Sequence, residues 1–101
     1  MATRRPCPLE FSDRAHDQIE AIRAYIRGRN PPGALKVIDT IEVACRRFGA
    51  RPYMGRPGRS ANTREWSVTK YRYVIVYEVS QKPRKVTVLG VFHTSLGERK
   101  L

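Results

Sequence analysis

The fold of this chain is decided by two neighbouring segments, YRYVIVYEV at residues 71–79 and VTVLGVFH at residues 86–93. Side chains in each segment alternate with the two-residue period of a β-strand. Both segments are rich in β-branched and aromatic residues, and the polar link between them contains Pro83. This pattern predicts an antiparallel β-hairpin, against which the rest of the chain can be placed.

The same alternation predicts which side chains share a face of the sheet. In the first strand Tyr73, Ile75 and Tyr77 fall on one face, and we expect Tyr73 and Tyr77 to contribute to the core. Val74 and Val76 fall on the opposite face. In the second strand one face is predicted to carry Val86, Val88, Gly90 and Phe92, and the other Thr87, Leu89, Val91 and His93.

Two amphipathic helices are predicted before the hairpin. The first covers residues 13–29, with Ser12 or Asp13 as its N-cap, and the second covers residues 33–49 and ends at Gly49. Proline and glycine between them predict a reversal, and therefore an antiparallel helical hairpin. Apolar residues recur at steps of three and four: Ala15, Ile19, Ile22 and Ile26 in the first helix, and Ala34, Ile38, Ile41, Cys45 and Phe48 in the second.

The remaining segments complete an α+β domain. Residues 9–11 predict a short edge strand, residues 50–63 a loop rich in glycine, proline and arginine, and residues 64–68 a further strand. The order is β-α-α-β-β-β, with the two helices packed on a small, mainly antiparallel sheet. A length of 101 residues fits one domain, residues 1–101, with a single core.

The composition points to an anionic partner. Twenty Lys and Arg residues against nine Asp and Glu residues give a formal net charge of +11. This surplus exceeds what solubility requires and favours binding to nucleic acid, an acidic protein or a membrane surface. Charge alone does not choose among these partners.

Metal, disulfide and membrane chemistry are not indicated. Cys7 and Cys45 are far apart in the sequence, with no C-x-x-C pair and no histidine at ligand spacing, so we expect two reduced thiols and no cofactor. Residues 1–9 lack the apolar run of a signal peptide, and no stretch approaches the roughly 20 apolar residues of a membrane span. The expected location is the cytoplasm, with no membrane partner.

Several motifs, in their joint order over most of the chain, resemble the RelE/ParE toxins of bacterial type II toxin–antitoxin modules, and the ParE branch in particular. The motifs are Phe11-Ser12-Asp13-Arg14-Ala15, Asn30-Pro31, Met54-Gly55-Arg56-Pro57-Gly58-Arg59, Thr63-Arg64-Glu65, Tyr73-Val74-Ile75-Val76-Tyr77 and Val88-Leu89-Gly90-Val91-Phe92-His93. The resemblance implies a toxin that stops growth, and a cognate ParD-like antitoxin that binds and silences it in a hetero-oligomer. It implies contact with nucleic acid only through the target or the antitoxin–operator complex.

The family contains ribosome-dependent mRNA endonucleases and inhibitors of DNA gyrase. RNA cleavage needs a base, an acid and cations near the phosphate. The ribonucleases carry an arginine within a Tyr-Arg-Leu-Val-Tyr pattern, where this chain has Val74, and a C-terminal tyrosine that is missing after His93. We therefore expect gyrase inhibition and no catalytic residue. The alternatives are an endonuclease that uses Arg72, His93 and its partner Glu65, or a binding module without activity.

Six residues are candidates for contact with the antitoxin or the target. Arg56, Arg59 and Arg64 surround the glycine- and proline-rich loop, where guanidinium groups suit phosphate or carboxylate, although a solvated loop with structural arginines has the same pattern. Trp66 either packs on the helices or anchors the antitoxin. The basic tail adds Arg99 and Lys100.

Overall fold

The computed structural model describes residues 5–94, apart from the side chain of Pro31. Within these residues, two α-helices and five β-strands form an α+β fold, which is the predicted order with one additional short strand. Their bounds are β1 Leu9–Phe11, α1 Asp13–Arg27, α2 Pro31–Ala50, β2 Arg56–Pro57, β3 Thr63–Val68, β4 Tyr73–Gln81 and β5 Arg84–His93. No helix within this part of the chain is long and apolar enough to cross a membrane.

The strands form one mixed sheet in the order β1-β5-β4-β3-β2. β1 runs parallel to β5, and the other three pairs are antiparallel. The predicted hairpin is thus confirmed as the centre of the sheet, and the predicted N-terminal edge strand is also confirmed. Apolar residues of both helices pack on one face of the sheet, in a cluster that includes Ile19, Ile41, Ile75 and Tyr77.

Local side chains determine where the helices begin. The Ser12 hydroxyl accepts a hydrogen bond from the Ala15 amide at 3.1 Å, so Ser12 and not Asp13 is the N-cap of α1. The Asn30 side chain accepts from the Gly33 amide at 3.3 Å and caps α2. α2 begins two residues before the predicted start because proline is well tolerated in the first helical turn.

The sequence predicted that the second helix ends at Gly49, and the structure shows that it does not. α2 continues to Ala50, and the Cys7 amide donates to the Gly49 carbonyl at 2.7 Å. A Cβ atom at position 49 would lie 3.0 Å from the Cys7 carbonyl oxygen. Glycine is therefore suited to this position because the N-terminal segment passes close to the helix, and not because the helix stops there.

Aromatic stacking joins the helices to the centre of the sheet. The rings of Phe48 on α2 and Tyr77 on β4 are stacked with centroids 4.0 Å apart. The buried Tyr77 hydroxyl accepts from the Gly55 amide at 2.9 Å and donates to the Pro52 carbonyl at 2.8 Å. Tyr77 thus belongs to the core, as predicted, and also fixes the loop after α2.

A β-bulge in β5 changes the predicted faces. Val88 pairs with Tyr77 and Gly90 pairs with Val76, so Leu89 is an extra residue in β5. Beyond it the alternation is inverted: Val91 joins the core and His93 lies opposite Tyr73. The predicted grouping of Gly90 and Phe92 with Val88 was wrong for this reason.

Three further boundaries differ from the predictions. Residues 69–71 form a 3₁₀ turn, and Arg72 has a left-handed backbone with φ of 59°, so β4 begins only at Tyr73. The central hairpin extends to Gln81 and Arg84, which leaves a two-residue turn at 82–83. Within the predicted loop 50–63, Arg56 and Pro57 form the short edge strand β2.

Candidate functional site

The face of the sheet opposite the helices is the first candidate site. Glu65 pairs with Val76, and Ser67 pairs with Val74, which in turn pairs with Phe92. Paired residues in a sheet project from the same face, so these side chains share one surface, named here the open face. The cation of the related ribonucleases would fall at Val74, and Val74 is 2% exposed. A buried valine can neither bind phosphate nor transfer a proton.

Of the three residues in the endonuclease alternative, Arg72 lies beside the end of β5, where its carbonyl accepts from the Thr94 amide at 2.8 Å, whereas Glu65 and His93 lie on different faces of the sheet. Glu65 projects from the open face, whereas His93 pairs with Tyr73 on the helix-covered side. The rings of His93 and Tyr73 are arranged edge to face, with their centres 5.1 Å apart. This arrangement disfavours the alternative in which Glu65 is the partner of His93. Arg72 is exposed and lies in the turn before β4, not within the strand.

Arg56 is engaged within the molecule. Its guanidinium lies 3.0 Å from the Glu65 carboxylate and also donates to the Ser67 hydroxyl at 2.9 Å. Glu65 is 6% exposed, and a buried carboxylate needs such a partner. Arg56 thus neutralises a charge on the open face, which reduces its value as a contact for an anionic partner.

Arg64 lies on the other side of the same edge and organises the loop after α2. Its Nη1 donates to the carbonyl oxygens of Tyr53 and Gly55 at 3.2 and 2.7 Å. The guanidinium carbon lies 4.9 Å from the centre of the Tyr53 ring. No carboxylate among residues 5–94 pairs with Arg64. Neutral groups hold the Arg64 guanidinium in place, and its positive charge remains available to an anion.

Arg59 and Arg64 both line a cavity of about 440 Å³, named here the loop pocket. It lies between the loop 57–63 and the end of β4, with Tyr53 and Val79 among its other walls. Arg59 is exposed and forms no ion pair within the described residues. The structure thus brings together two of the predicted arginines and separates Arg56 from them.

Trp66 packs against the hydrophobic core. It is half-buried, lies on the helix-covered face opposite Ile75, and lines a small cavity with Val43 and Thr40 of α2. Trp66 thus packs on the helices, and its role as an anchor for the antitoxin stays a prediction. Arg99 and Lys100 lie outside the described residues.

A groove that the sequence did not reveal runs between α1 and the ends of β4 and β5. It has a volume of about 640 Å³ and is named here the aromatic groove. Burial, and to a smaller extent the neighbouring Tyr25, raises the pKa of Tyr73, which lines this groove. No Asp, Glu, Lys or Arg lines the groove, which makes it suited to apolar groups. Its lining consists of Gln18, Ala21, Ile22, Tyr25, Tyr73, Val91, Phe92 and His93.

The Gln18 side chain closes the exposed edge of the sheet beside this groove. Its Oε1 accepts a hydrogen bond from the Val91 amide at 2.9 Å. β1 ends opposite Val88, so this amide lies beyond the reach of the parallel strand. The exposed Tyr25 on α1 was the available sequence signal for the groove, but its meaning depended on how α1 crosses the sheet.

Within residues 5–94, no three metal-ligating side chains lie together.

This architecture is that of the RelE/ParE-like toxins. The toxin structure described as the chromosomal ParDE system from P. aeruginosa superposes with a TM-score of 0.76 at 18% identity, covering 86% of this chain and 95% of that one. The RelBE2 complex from Mycobacterium tuberculosis gives 0.61 at 19% identity, covering 92% and 97%. The isolated E. coli RelE toxin gives 0.54 at 18% identity, covering 93% and 87%.

Sequence similarity narrows the assignment from this fold to one family. Residues 9–95 match the family described as the ParE toxin of the type II toxin–antitoxin system parDE. A Sinorhizobium fredii protein named "Putative toxin Y4kP" is 36% identical over 85 residues, which is 84% of this chain and 85% of that protein. The chain therefore belongs to the ParE family of toxins of type II toxin–antitoxin systems.

Proposed function

We propose that this toxin stops growth by binding DNA gyrase and that it performs no bond-breaking chemistry of its own. The observation that carries the proposal is the buried Val74 at the centre of the open face. In-line cleavage of RNA develops charge on the phosphate, and a valine cannot stabilise that charge. The membership of the chain in the ParE family supports the same target.

The neighbouring groups do not compensate for Val74. The Arg56 guanidinium at the edge of the open face is paired with Glu65 at 3.0 Å, and the Arg14 guanidinium lies 5.5 Å from the centre of the Phe92 ring. The imidazole of His93 belongs to the other face, against Tyr73. Glu65 and His93 thus project from opposite faces of the sheet, which disfavours their joint action as acid and base on one phosphate, although cleavage requires both groups.

The second part of the proposal is a ParD-like antitoxin that silences the toxin in the cytoplasm. An amphipathic helix of the antitoxin would place apolar side chains on exposed apolar surface such as the aromatic groove. An acidic stretch would offset part of the +11 charge. The solved relatives include a ParDE system and a RelBE2 toxin–antitoxin complex, which supports a partner of this kind.

The target is tested by two assays on the same preparation of purified toxin. In the first, primer extension on translated mRNA reports RNA cleavage; in the second, DNA supercoiling and accumulation of cleaved DNA report on gyrase. We expect loss of supercoiling or accumulated DNA breaks, and intact mRNA. His93→Ala and Arg72→Ala should leave growth arrest mostly unchanged, while changes at Arg59, Arg99 or Lys100 should weaken it.

Two results would contradict this proposal. Codon-phased mRNA cuts that disappear in His93→Ala or Arg72→Ala, with gyrase unaffected, would establish an endonuclease. Silence in both assays would instead indicate a binding module without activity. The antitoxin is tested separately, because the product of the adjacent reading frame should co-elute with the toxin at low salt and associate more slowly as salt is added.

A further inference from the structure

We propose that the loop pocket binds a side-chain carboxylate from an acidic, extended segment of a partner protein. This binding does not require that the target of the toxin be DNA gyrase. It depends on Arg59 and Arg64 and on the walls of the pocket, and it holds whichever protein supplies the carboxylate.

The charges around the pocket are the first reason. Two arginines line it, and no Asp or Glu does. Within residues 5–94, Arg59 and Arg64 form no ion pair, whereas Arg56, on the adjacent strand, is neutralised by Glu65 at 3.0 Å. Two uncompensated cations at one concave site favour a bound anion.

The fixed position of Arg64 is the second reason. Its Nη1 donates to the carbonyl oxygens of Tyr53 and Gly55, and its guanidinium lies over the Tyr53 ring. The Nε and Nη2 groups of Arg64 donate to no described residue. Together they form one edge of the guanidinium, from which a carboxylate can accept two parallel hydrogen bonds. Little side-chain entropy remains to be lost when this edge binds its ligand.

The opposite wall of the pocket is also held by hydrogen bonds. The Gly58 amide donates to the Thr63 carbonyl at 2.8 Å, and the Thr63 amide donates to the Ser60 carbonyl at 3.2 Å. The Thr63 hydroxyl donates to the same Ser60 carbonyl at 2.6 Å. The loop that carries Arg59 thus has its own internal support, and the pocket does not depend on a ligand to form.

The apolar walls favour a side-chain carboxylate over a nucleic-acid phosphate. Tyr53, Ala61 and Val79 line the pocket together with the arginines. Its volume of about 440 Å³ accommodates an acidic side chain with its methylene groups and part of an adjacent residue. A nucleic-acid backbone, by contrast, is bound by rows of cations that follow successive phosphates. Here two arginines converge on one recess.

The test uses the full-length toxin labelled with ¹⁵N and the acetylated, amidated peptide Val-Glu-Val-Glu-Val. We expect the peptide to shift the side-chain Nε–Hε resonances of Arg59 and Arg64 and the amides of residues 58–63. Arg59→Gln should weaken peptide binding about tenfold, the size of one charge-assisted hydrogen bond. Arg59 is exposed, so circular dichroism should show an unchanged fold in this variant.

Arg29→Gln is the matched control, since it removes one exposed arginine charge from the turn between the helices, outside the pocket. It should weaken binding less than twofold. Equal losses in both variants would overturn the proposal in favour of a diffuse basic surface. Equal binding of the peptide Val-Gln-Val-Gln-Val would show that no carboxylate is recognised. A short oligothymidylate that shifts the same resonances at lower concentration than the peptide would assign the pocket to phosphate.

Discussion

Residues at the centre of both faces of the sheet are buried, but the helices cover only one of the two faces. On the helix-covered face, Ile75 and Tyr77 are packed beneath α1 and α2. On the open face, Val74 and Val76 are each 2% exposed, yet neither belongs to the cluster that the helices cover. The covered face supplies the stability of the fold. The open face has an apolar centre, formed by Val74 and Val76.

The largest expected effect is at the helix–sheet contact. Ile41→Asp should unfold the protein, because an unpaired carboxylate buried there costs several kcal/mol, comparable to the stability of a small domain. The control is Leu35→Asp on the same helix, where the side chain is 67% exposed. Circular dichroism melting should separate the two variants clearly. Equal melting temperatures would mean that the buried stripe of α2 is misassigned.

The hydroxyl of Tyr77 should be the next most important group. Tyr77→Phe keeps the stacking on Phe48 but removes the hydrogen bonds to Gly55 and Pro52, so a buried amide loses its acceptor. We expect a loss of about 2 kcal/mol in the free energy of unfolding, measured by denaturant titration. Tyr25→Phe, at an exposed hydroxyl, should change it by less than about 0.5 kcal/mol. A similar cost in both variants would argue against a special role for the buried hydroxyl.

A matched pair of substitutions compares the two faces directly. Val88→Ala and Val76→Ala remove the same atoms from neighbouring strands, the first beneath the helices and the second on the open face. We expect a cost of about 2 kcal/mol for Val88→Ala and about 1 kcal/mol for Val76→Ala, because a cavity under packed helices collapses less. Chemical denaturation of both variants measures the difference. The reverse order would show that the open face is packed as tightly as the core.

Raising the pH from 8 to 10 should lower the free energy of unfolding by about 1 kcal/mol through the buried Cys45. Burial, with Glu42 as a smaller cause, raises the pKa of Cys45 from 9.0 to about 12. Above pH 9 the unfolded chain therefore releases a proton that the folded chain retains, and stability falls as the pH rises towards 12. Burial also raises the pKa of Tyr77, which acts in the same direction at higher pH.

Denaturant titrations at pH 8 and pH 10 measure this effect. The wild type should lose about 1 kcal/mol more than Cys45→Ala between the two pH values, which follows from the difference in Cys45 pKa between the unfolded and folded states. The comparison within each variant removes the cost of the smaller side chain itself. Parallel losses in the two proteins would assign the alkaline sensitivity to other groups.

Most of the fold could be predicted because periodic patterns report burial directly. The alternation through residues 73–79 and the apolar steps of both helices identified the hairpin, the helical stripe and the core position of Tyr77. The bulge at Leu89 could not be predicted, since one extra residue leaves the composition of a strand unchanged. Gly49 was misread as a stop because the approach of Cys7 is a tertiary contact.

The candidate sites were less predictable than the fold. The sequence grouped Arg56, Arg59 and Arg64 by proximity, but the strand alternation places Arg56 and Arg64 on opposite faces, one paired with Glu65 and the other facing Tyr53. The alternative in which Glu65 is the partner of His93 could not be weighed from the sequence for a similar reason, because it depended on the register across three strands. The aromatic groove was missed because its walls come from α1, β4 and β5.

The pairing of β1 with β5 has a consequence for the synthesis of this toxin. The Ser12 hydroxyl donates to the Leu89 carbonyl across 77 residues of sequence, and β1 has no strand partner other than β5 in the described chain. A ribosome must therefore translate nearly all of the described residues before the first strand can join the sheet. The complete sheet, and every surface that depends on it, can form only near the end of translation.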